Sequence, residues 1–250
     1  MLNALASVPG FDSGLVLAYV RLQAFLMILP GIGERAVPVR VKVAIAMSLA
    51  PLMAGIGGEG PPLTDPAALM FPAVTEMAIG LAAGTMVRLM ALALDVGASA
   101  MASSTSLAQI VGGANEASPH PIGNMLHLGG TAILFALGLP VMLVQLMADS
   151  FALWPIGALP DINGLVPEII GFTARSFALA MTLAAPFILG GFLYQALSGV
   201  INKVMPQLPV LFIGAPGSIL MALIALAVAA PLLVGLWADA VLAVALPGGT

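Results

Sequence analysis

The chain has 250 residues, of which 61% are hydrophobic and only 7% are charged, and its formal net charge at pH 7 is −4. A soluble domain carries about 25% charged residues, so this composition excludes an ordinary water-soluble globule and indicates a membrane protein. The seven basic residues are scattered, which leaves no basic patch for nucleic acid, and the absence of cysteine excludes disulfides, iron–sulfur centres and thiolate zinc sites.

Six apolar stretches are long enough, or nearly so, to form helices that cross a bilayer. Such a helix needs about 20 apolar residues, and the stretches cover about 14–33, 39–57, 67–102, 122–148, 166–200 and 216–246. The opening residues lack the positive region and cleavage site of a signal peptide, so we expect the first stretch to be retained. The predicted fold class is all-α, a polytopic membrane protein with about six long, partly broken hydrophobic helices in one domain over residues 1–250.

Basic residues fall on only one side of these predicted spans. The N-terminus, the connections at 57–66 and 149–168, and the C-terminus hold acidic residues and no basic ones. The other side holds Arg35, Arg40, Lys42 and Lys203. Positive residues near span ends stay on the cytoplasmic side. The pattern therefore predicts both termini outside, and it places the segments at 103–121 and 201–218 on the cytoplasmic face.

Five charged residues remain inside the predicted spans: Arg21, Glu76, Arg88, Asp95 and Arg175. A charge at the bilayer centre is costly, so such residues usually face a bundle interior or a polar cavity and find a partner. Arg21, Glu76 and Arg175 fall at similar depths in the first, third and fifth spans. This placement predicts one ionic cluster with Glu76 between two arginines. The alternative is that the arginines snorkel toward the outer interface.

The third span carries small and polar residues along one face. These residues are Gly80, Gly84, Arg88, Ala91, Asp95, Ala98 and Ala102. Small residues at helical spacing allow helices to approach closely, and GLAAG contains a GxxxG pattern, so plain packing is favoured over a role in conduction. The third and fifth spans would reach about 50 Å if unbroken, beyond a hydrocarbon core of about 30 Å. We expect them to tilt, bend or project, with Pro186 offering a bend in the fifth.

The sequence contains no nucleotide-binding loop, nucleophile elbow or HExxH motif. His120 and His127, with Glu116 nearby, are the candidates for a metal site or a proton relay. Pro119 and Pro121 place His120 in a loop, so the simpler interpretation is one loop histidine and one packing histidine. We therefore predict neither a metal site nor a cofactor.

Two irregular segments interrupt the helical pattern. The stretch INKVMPQLPVLFIGAPGS contains Pro206, Pro209 and Pro216, which oppose a continuous helix, yet it is too apolar for a solvated loop. The stretch SSTSLAQIVGGANEASPHP is flexible at its central glycines and partly apolar. Irregular backbone at membrane depth survives only where it is buried in protein or lines a water-filled cavity. We expect an ordered re-entrant turn for the first stretch and a loop in a pore for the second.

The run INKVMPQLPVLFIGAPGSIL also resembles a signature of the FliR family, the flagellar export-gate proteins whose virulence counterparts form the SctT family. That signature has a basic residue, P-Q-[LMI]-N-V, a short apolar run and G-x-P. The matching residues are Lys203, Pro206, Gln207, Leu208, Val210, Gly214 and Pro216, whereas Pro209 stands where asparagine is usual. FPAVTEMAIGLAAG is similar to the opening of the family's third helix, and the resemblance covers nearly the whole chain in order.

The resemblance implies a non-enzymatic core channel subunit of the flagellar type III export gate, in the bacterial inner membrane at the flagellar basal body. It implies assembly with FliP and FliQ, contact with FlhA, FlhB and membrane lipid, and passage of unfolded export substrates. It further implies that the loop after the third helix is a plug, with candidate residues Leu107, Ile110, Val111, Gly112, Gly113, Asn115 and Glu116. The expected subunit-contact turn comprises Lys203, Pro206, Gln207, Pro209, Phe212, Gly214 and Pro216.

Two other functions remain as alternatives. A self-contained secondary transporter would use the buried charges for coupling, but it would favour inverted halves, and no such symmetry is visible. An intramembrane enzyme would rest on His120, His127 and Asp95, and the sequence offers no paired nucleophile and base. The transporter is the stronger of the two, and it should be stable alone, whereas a gate subunit should be found with its partners.

Overall fold

The computed structural model describes residues 12–62, 66–104, 121–159, 162–204 and 210–246. Within them the chain forms helices and no strand. The helices are α1 (Ser13–Ile28), α2 (Val39–Gly57), α3 (Pro66–Ser104), α4 (Pro121–Ala136), α5 (Leu139–Leu153), α6 (Ile162–Val204) and α7 (Val210–Leu242). The predicted all-α fold is confirmed, and every one of the six apolar stretches contains helix.

Four of these helices, α2, α3, α6 and α7, are individually long and apolar enough to cross a membrane. The pair α4 and α5 qualifies only together, as a broken span or a re-entrant loop, so the described residues contain four candidate spans, or five if this pair is one span. The first apolar stretch yields only the 16 residues of α1. It is shorter than expected because Pro30 restricts the residue before it, and Leu29 takes an extended conformation that ends the helix.

The apolar stretch at 122–148 forms two helices rather than one, bent by 70° at a short break. Gly138 lies at the break with a φ of 101°, a left-handed conformation that glycine adopts without steric cost. Pro140 then occupies the first turn of α5, where its missing N–H would have had no helical partner. The short sequence Gly-Leu-Pro therefore ends one helix and begins the next.

The α3 and α6 helices are longer than a bilayer requires. They contain 39 and 43 residues, which correspond to about 58 Å and about 64 Å of helix at 1.5 Å per residue. Pro186 lies within α6 and does not end it. The expectation that these two segments exceed the hydrocarbon core is confirmed.

The chain divides into two compact units. Unit 1 consists of Met1–Met90, Phe135–Thr173 and Leu242–Thr250, and unit 2 consists of Ala91–Leu134 and Ala174–Val241. In unit 1, α1 packs against α2, and α2 packs against α5. The unit 1 core includes Leu17, Leu22, Phe25, Ile79, Met86 and Phe151, and the unit 2 core includes Leu94, Ala98, Leu183, Trp237 and Val241.

The α6 and α7 helices leave most of their apolar surface uncovered. In the most apolar 18-residue stretch of each helix, only 28% of the residues of α6 and 17% of those of α7 are buried, against 50% in α3. Phe177, Phe192 and Leu193 of α6 are each at least 60% exposed. Apolar surface of this extent is stable against lipid or against another apolar protein surface, and not against water. The protein is therefore a membrane protein, as its composition predicts.

Candidate functional site

A buried ion pair lies in the interior of unit 1. The side chains of Arg21 on α1 and Glu76 on α3 have no exposed surface, and Arg21 Nε donates to Glu76 Oε2 at 2.5 Å. Arg21 Nη1 donates to the carbonyl oxygen of Ser150 at 2.9 Å, and Nη2 donates to that of Trp154 at 2.9 Å. Every nitrogen of the guanidinium group therefore has an acceptor.

The second carboxylate oxygen of Glu76 is also bonded. The backbone N–H of Gly157 donates to Oε1 at 2.9 Å, and Gly157 has a φ of 82°, which favours glycine at that position. The guanidinium carbon of Arg21 lies 4.0 Å from the centre of the buried Phe151 ring, a cation–π contact. A buried ion pair is tolerated when its remaining polar atoms are also satisfied. The cluster thereby fixes α1, α3, α5 and the segment after α5 to one another.

Two of the three residues that the sequence groups into one ionic cluster are in direct contact. Arg175 is exposed on α6 and belongs to unit 2. The buried positions of α6 near it are Phe172, Ser176 and Ala180, which repeat once per turn, and Arg175 lies off that face. The inclusion of Arg175 in the cluster stays a prediction.

The backbone partners of Arg21 and Glu76 cannot be predicted from the sequence. Ser150 and Trp154 supply carbonyl oxygens, which every residue possesses, so no residue type marks them. Gly157 carries the one usable signal, because a glycine next to proline-rich sequence indicates a turn whose free N–H groups can meet a carboxylate.

The GxxxG pair of α3 lies against the backbone of α1. A Cβ atom at Gly80 would overlap the carbonyl oxygen of Arg21, and one at Gly84 would lie 3.0 Å from that of Phe25. The packing interpretation of this part of the stripe is therefore supported. One helical turn further along, Arg88 Nη1 donates to the carbonyl oxygen of Ile28 at 3.1 Å, which satisfies a free carbonyl at the end of α1.

Lys42 of α2 holds the connection between α1 and α2 in place. It is 4% exposed, and its Nζ atom donates to the carbonyl oxygens of Gly33 at 2.8 Å and Glu34 at 3.0 Å. Arg35 and Arg40, the other basic residues of this region, are exposed. The positive charge that this connection presents at its surface therefore comes from the two arginines.

In unit 2, Asp95 of α3 meets His127 of α4. His127 Nδ1 lies 3.0 Å from Asp95 Oδ1 and 3.2 Å from Oδ2, and each side chain is 33% exposed. A Cβ atom at Gly130 would lie 2.7 Å from Leu94 Cδ2, and Trp237 of α7 donates its indole N–H to the carbonyl oxygen of Ala91 at 3.1 Å. The pair lies beside a close contact of α3, α4 and α7.

The two members of this pair are expected to respond unequally to substitution. His127→Ala leaves the Asp95 carboxylate without its imidazole partner in apolar surroundings, whereas Asp95→Asn keeps a hydrogen-bond acceptor. We expect His127→Ala to lower the free energy of unfolding by about 1–2 kcal/mol and Asp95→Asn to lower it by less. Resistance of the bicelle-embedded protein to unfolding by SDS measures this. An unchanged free energy of unfolding in both variants would show that the contact contributes nothing to stability.

Most of the predicted plug and turn residues lie outside the described residues. These are Leu107, Ile110, Val111, Gly112, Gly113, Asn115, Glu116, Pro206, Gln207 and Pro209, together with His120. Lys203 lies in the last turn of α6. Phe212, Gly214 and Pro216 lie in α7, which begins at Val210 rather than near 216. The second half of the expected turn is therefore helical, since α7 continues through Gly214 and Pro216.

The part of the chain that matches known proteins is the part that forms the helices. Residues 13–244 match the family described as bacterial export proteins, family 1. The flagellar biosynthetic protein FliR of Caulobacter vibrioides is 26% identical over 227 residues, which cover 89% of this chain and 90% of that protein. FliR of Aquifex aeolicus is 28% identical over 225 residues, covering 88% and 86%, and FliR of Bacillus subtilis is 24% identical over 220 residues, covering 85% and 84%. Since the match begins with α1 and continues past the end of α7, this chain belongs to the bacterial export proteins, family 1, and the FliR-type family assignment made from the sequence is confirmed.

Proposed function

We propose that this protein is a core channel subunit of the flagellar type III protein export gate in the bacterial inner membrane. The observation that carries the proposal is the family match over residues 13–244, with relatives named flagellar biosynthetic protein FliR that align over most of their length. The partners would be FliP and FliQ in a heteromeric complex, with FlhA and FlhB alongside, and the cargo would be unfolded export substrates. The protein would have no catalytic role.

The length of α6 supports an assembly rather than a solitary protein. Its apolar part, Val166–Val204, has 39 residues and is about 58 Å long, about twice the hydrocarbon thickness. A tilt of about 60° would be needed to bury that length in lipid, and membrane helices tilt by at most about 40°. Partner subunits would cover the remainder, together with the exposed apolar surface of α7.

The two irregular segments would serve the channel directly. The plug would lie between Ser104 and Pro121, the residues at which α3 ends and α4 begins, with Ile110 and Val111 as its apolar part. The segment between α6 and α7, with Lys203 at its start, would contact neighbouring subunits. Both termini would lie outside, so that Arg35 and Arg40 face the cytoplasm.

Purification tests the assembly. The tagged chain is expressed in its own host or in a motile bacterium that lacks its own FliR, and the membrane is extracted in a mild detergent. We expect FliP and FliQ to co-purify in fixed ratio and motility to be restored. If the chain is instead recovered alone and transports a small solute or ion in liposomes, the export proposal is wrong and a secondary transporter is the better description.

Deletion of Ile110 to Ala114 tests the plug. We expect cells with this deletion to leak small ions and solutes, because the apolar part of the plug is gone while the helices that line the channel remain. A control replaces the same five residues by glycine and serine, which preserves the length of the connection and separates loss of the apolar residues from shortening. Unchanged leakage with intact secretion in the deletion would rule out the plug.

A further inference from the structure

An open groove of about 490 Å³ runs along one face of α2. Among the described residues it is lined by Arg40, Val41, Ala44, Ile45, Ser48 and Leu49, which follow one another at the spacing of a single helix face. The hydroxyl of Ser48 donates to the carbonyl oxygen of Ala44 at 2.8 Å, so it has no further hydrogen to donate to a ligand. The groove below Arg40 is therefore apolar in effect.

Positive charge is concentrated at one end of this groove. Arg40 and Arg35 are exposed, and neither forms an ion pair with another described residue. The nearby charges are already engaged, because Lys42 donates to two carbonyl oxygens and Glu34 Oε1 accepts from the N–H of Gly31 at 3.2 Å. The two arginine side chains are thus the groups at this end that can meet an anion.

The length of the groove matches one leaflet of a bilayer. The ten residues from Arg40 to Leu49 span about 14 Å along α2, and half of the hydrocarbon core is about 15 Å. A phosphate at the Arg40 guanidinium would leave an acyl chain lying along Val41, Ile45 and Leu49 as far as the bilayer centre. Arginine forms paired hydrogen bonds to phosphate, and basic pockets beside membrane helices suit anionic headgroups.

We propose that this groove binds an anionic phospholipid of the leaflet at the α1–α2 connection. Arg40 binds the phosphate, Arg35 adds attraction for the negative headgroup, and the apolar face of α2 receives an acyl chain. The proposal rests on the membrane location and does not depend on the export function.

Lipid retention by the purified chain, together with whatever partners it keeps, tests the proposal. The complex is exchanged into mixed micelles of phosphatidylglycerol and phosphatidylcholine with identical acyl chains, and the retained lipids are counted by native mass spectrometry. We expect a preference for phosphatidylglycerol that falls about five-fold in Arg40→Gln, as follows from about 1 kcal/mol per basic residue at a membrane surface. Arg175→Gln removes an equal charge from α6 and should keep the preference.

A second variant tests the acyl-chain half of the groove. Ala44→Leu fills the groove without changing charge, so it should lower retention of phosphatidylglycerol, whereas the same substitution at the exposed Ala178 of α6 should not. Equal retention of both lipids by the unaltered protein would show that the groove does not select an anionic headgroup. No effect of either groove variant would show that the retained lipid lies elsewhere. Either result would overturn the proposal.

Discussion

Arg21→Ala is expected to lower the free energy of unfolding by about 3–5 kcal/mol, the range measured when one member of a buried ion pair is removed. The Glu76 carboxylate would keep the Gly157 N–H but lose its counter-ion, and the carbonyl oxygens of Ser150 and Trp154 would lose their donor. Since Arg21 and Glu76 have no exposed surface, water cannot replace the lost bonds without entering the interior. SDS titration of the protein in bicelles measures the loss, and its abundance in cells should fall in parallel.

Three further variants separate the buried charge from lost packing. Arg35→Ala, at an exposed arginine between α1 and α2, controls for removing a guanidinium group and should have a small effect. Glu76→Gln keeps an acceptor for Gly157 and should fall between the two. The double substitution Arg21→Met with Glu76→Leu removes both charges and should recover much of the loss. If Glu76→Gln had no effect on stability, assembly or motility while Arg21→Ala abolished all three, Arg21 would act without Glu76.

The sequence predicts the helices of this fold well because their signal is local. A run of apolar residues without charge defines each candidate span, and the predicted second span at 39–57 coincides with α2. The bend at Gly138 cannot be recognised from the run of apolar residues, because the apolar content is as high across the break as on either side. The conformation of one glycine decides that geometry, and a sequence shows which residue can take a positive φ but not whether it does.

The sequence predicts only part of the candidate site. Arg21 and Glu76 could be paired in advance because two buried opposite charges at similar depth have few other partners. Asp95 and His127 are 32 residues apart, on helices whose relative rotation depends on tertiary packing. The grouping of Arg175 with Glu76 stays a prediction, since depth fixes the height of a residue and not the face of the helix on which it lies.

The second large effect is expected from one added methyl group, in Gly80→Ala. A Cβ atom at this position would overlap the carbonyl oxygen of Arg21, a backbone atom that cannot turn aside as a side chain can. Overpacking of this kind costs about 3 kcal/mol. Gly190→Ala on α6 is the matched control, because nothing lies within 4 Å of a Cβ atom there. Alanine has the higher helix propensity, so the control should be neutral or stabilising by up to about 1 kcal/mol. The same SDS titration checks both variants.

The Gly80 and Arg21 substitutions should not be additive, because both act on the same contact. To make room for a methyl group, α1 must move away from α3, and that movement carries the Arg21 guanidinium away from Glu76. Much of the loss in Gly80→Ala would then be loss of the ion pair. The combined variant with Arg21→Ala should therefore be less destabilised than the sum of the two single effects. Effects at independent sites add to within about 0.5 kcal/mol, and we expect a larger difference here. Strict additivity would show that the close approach of the two helices and the ion pair are separate features.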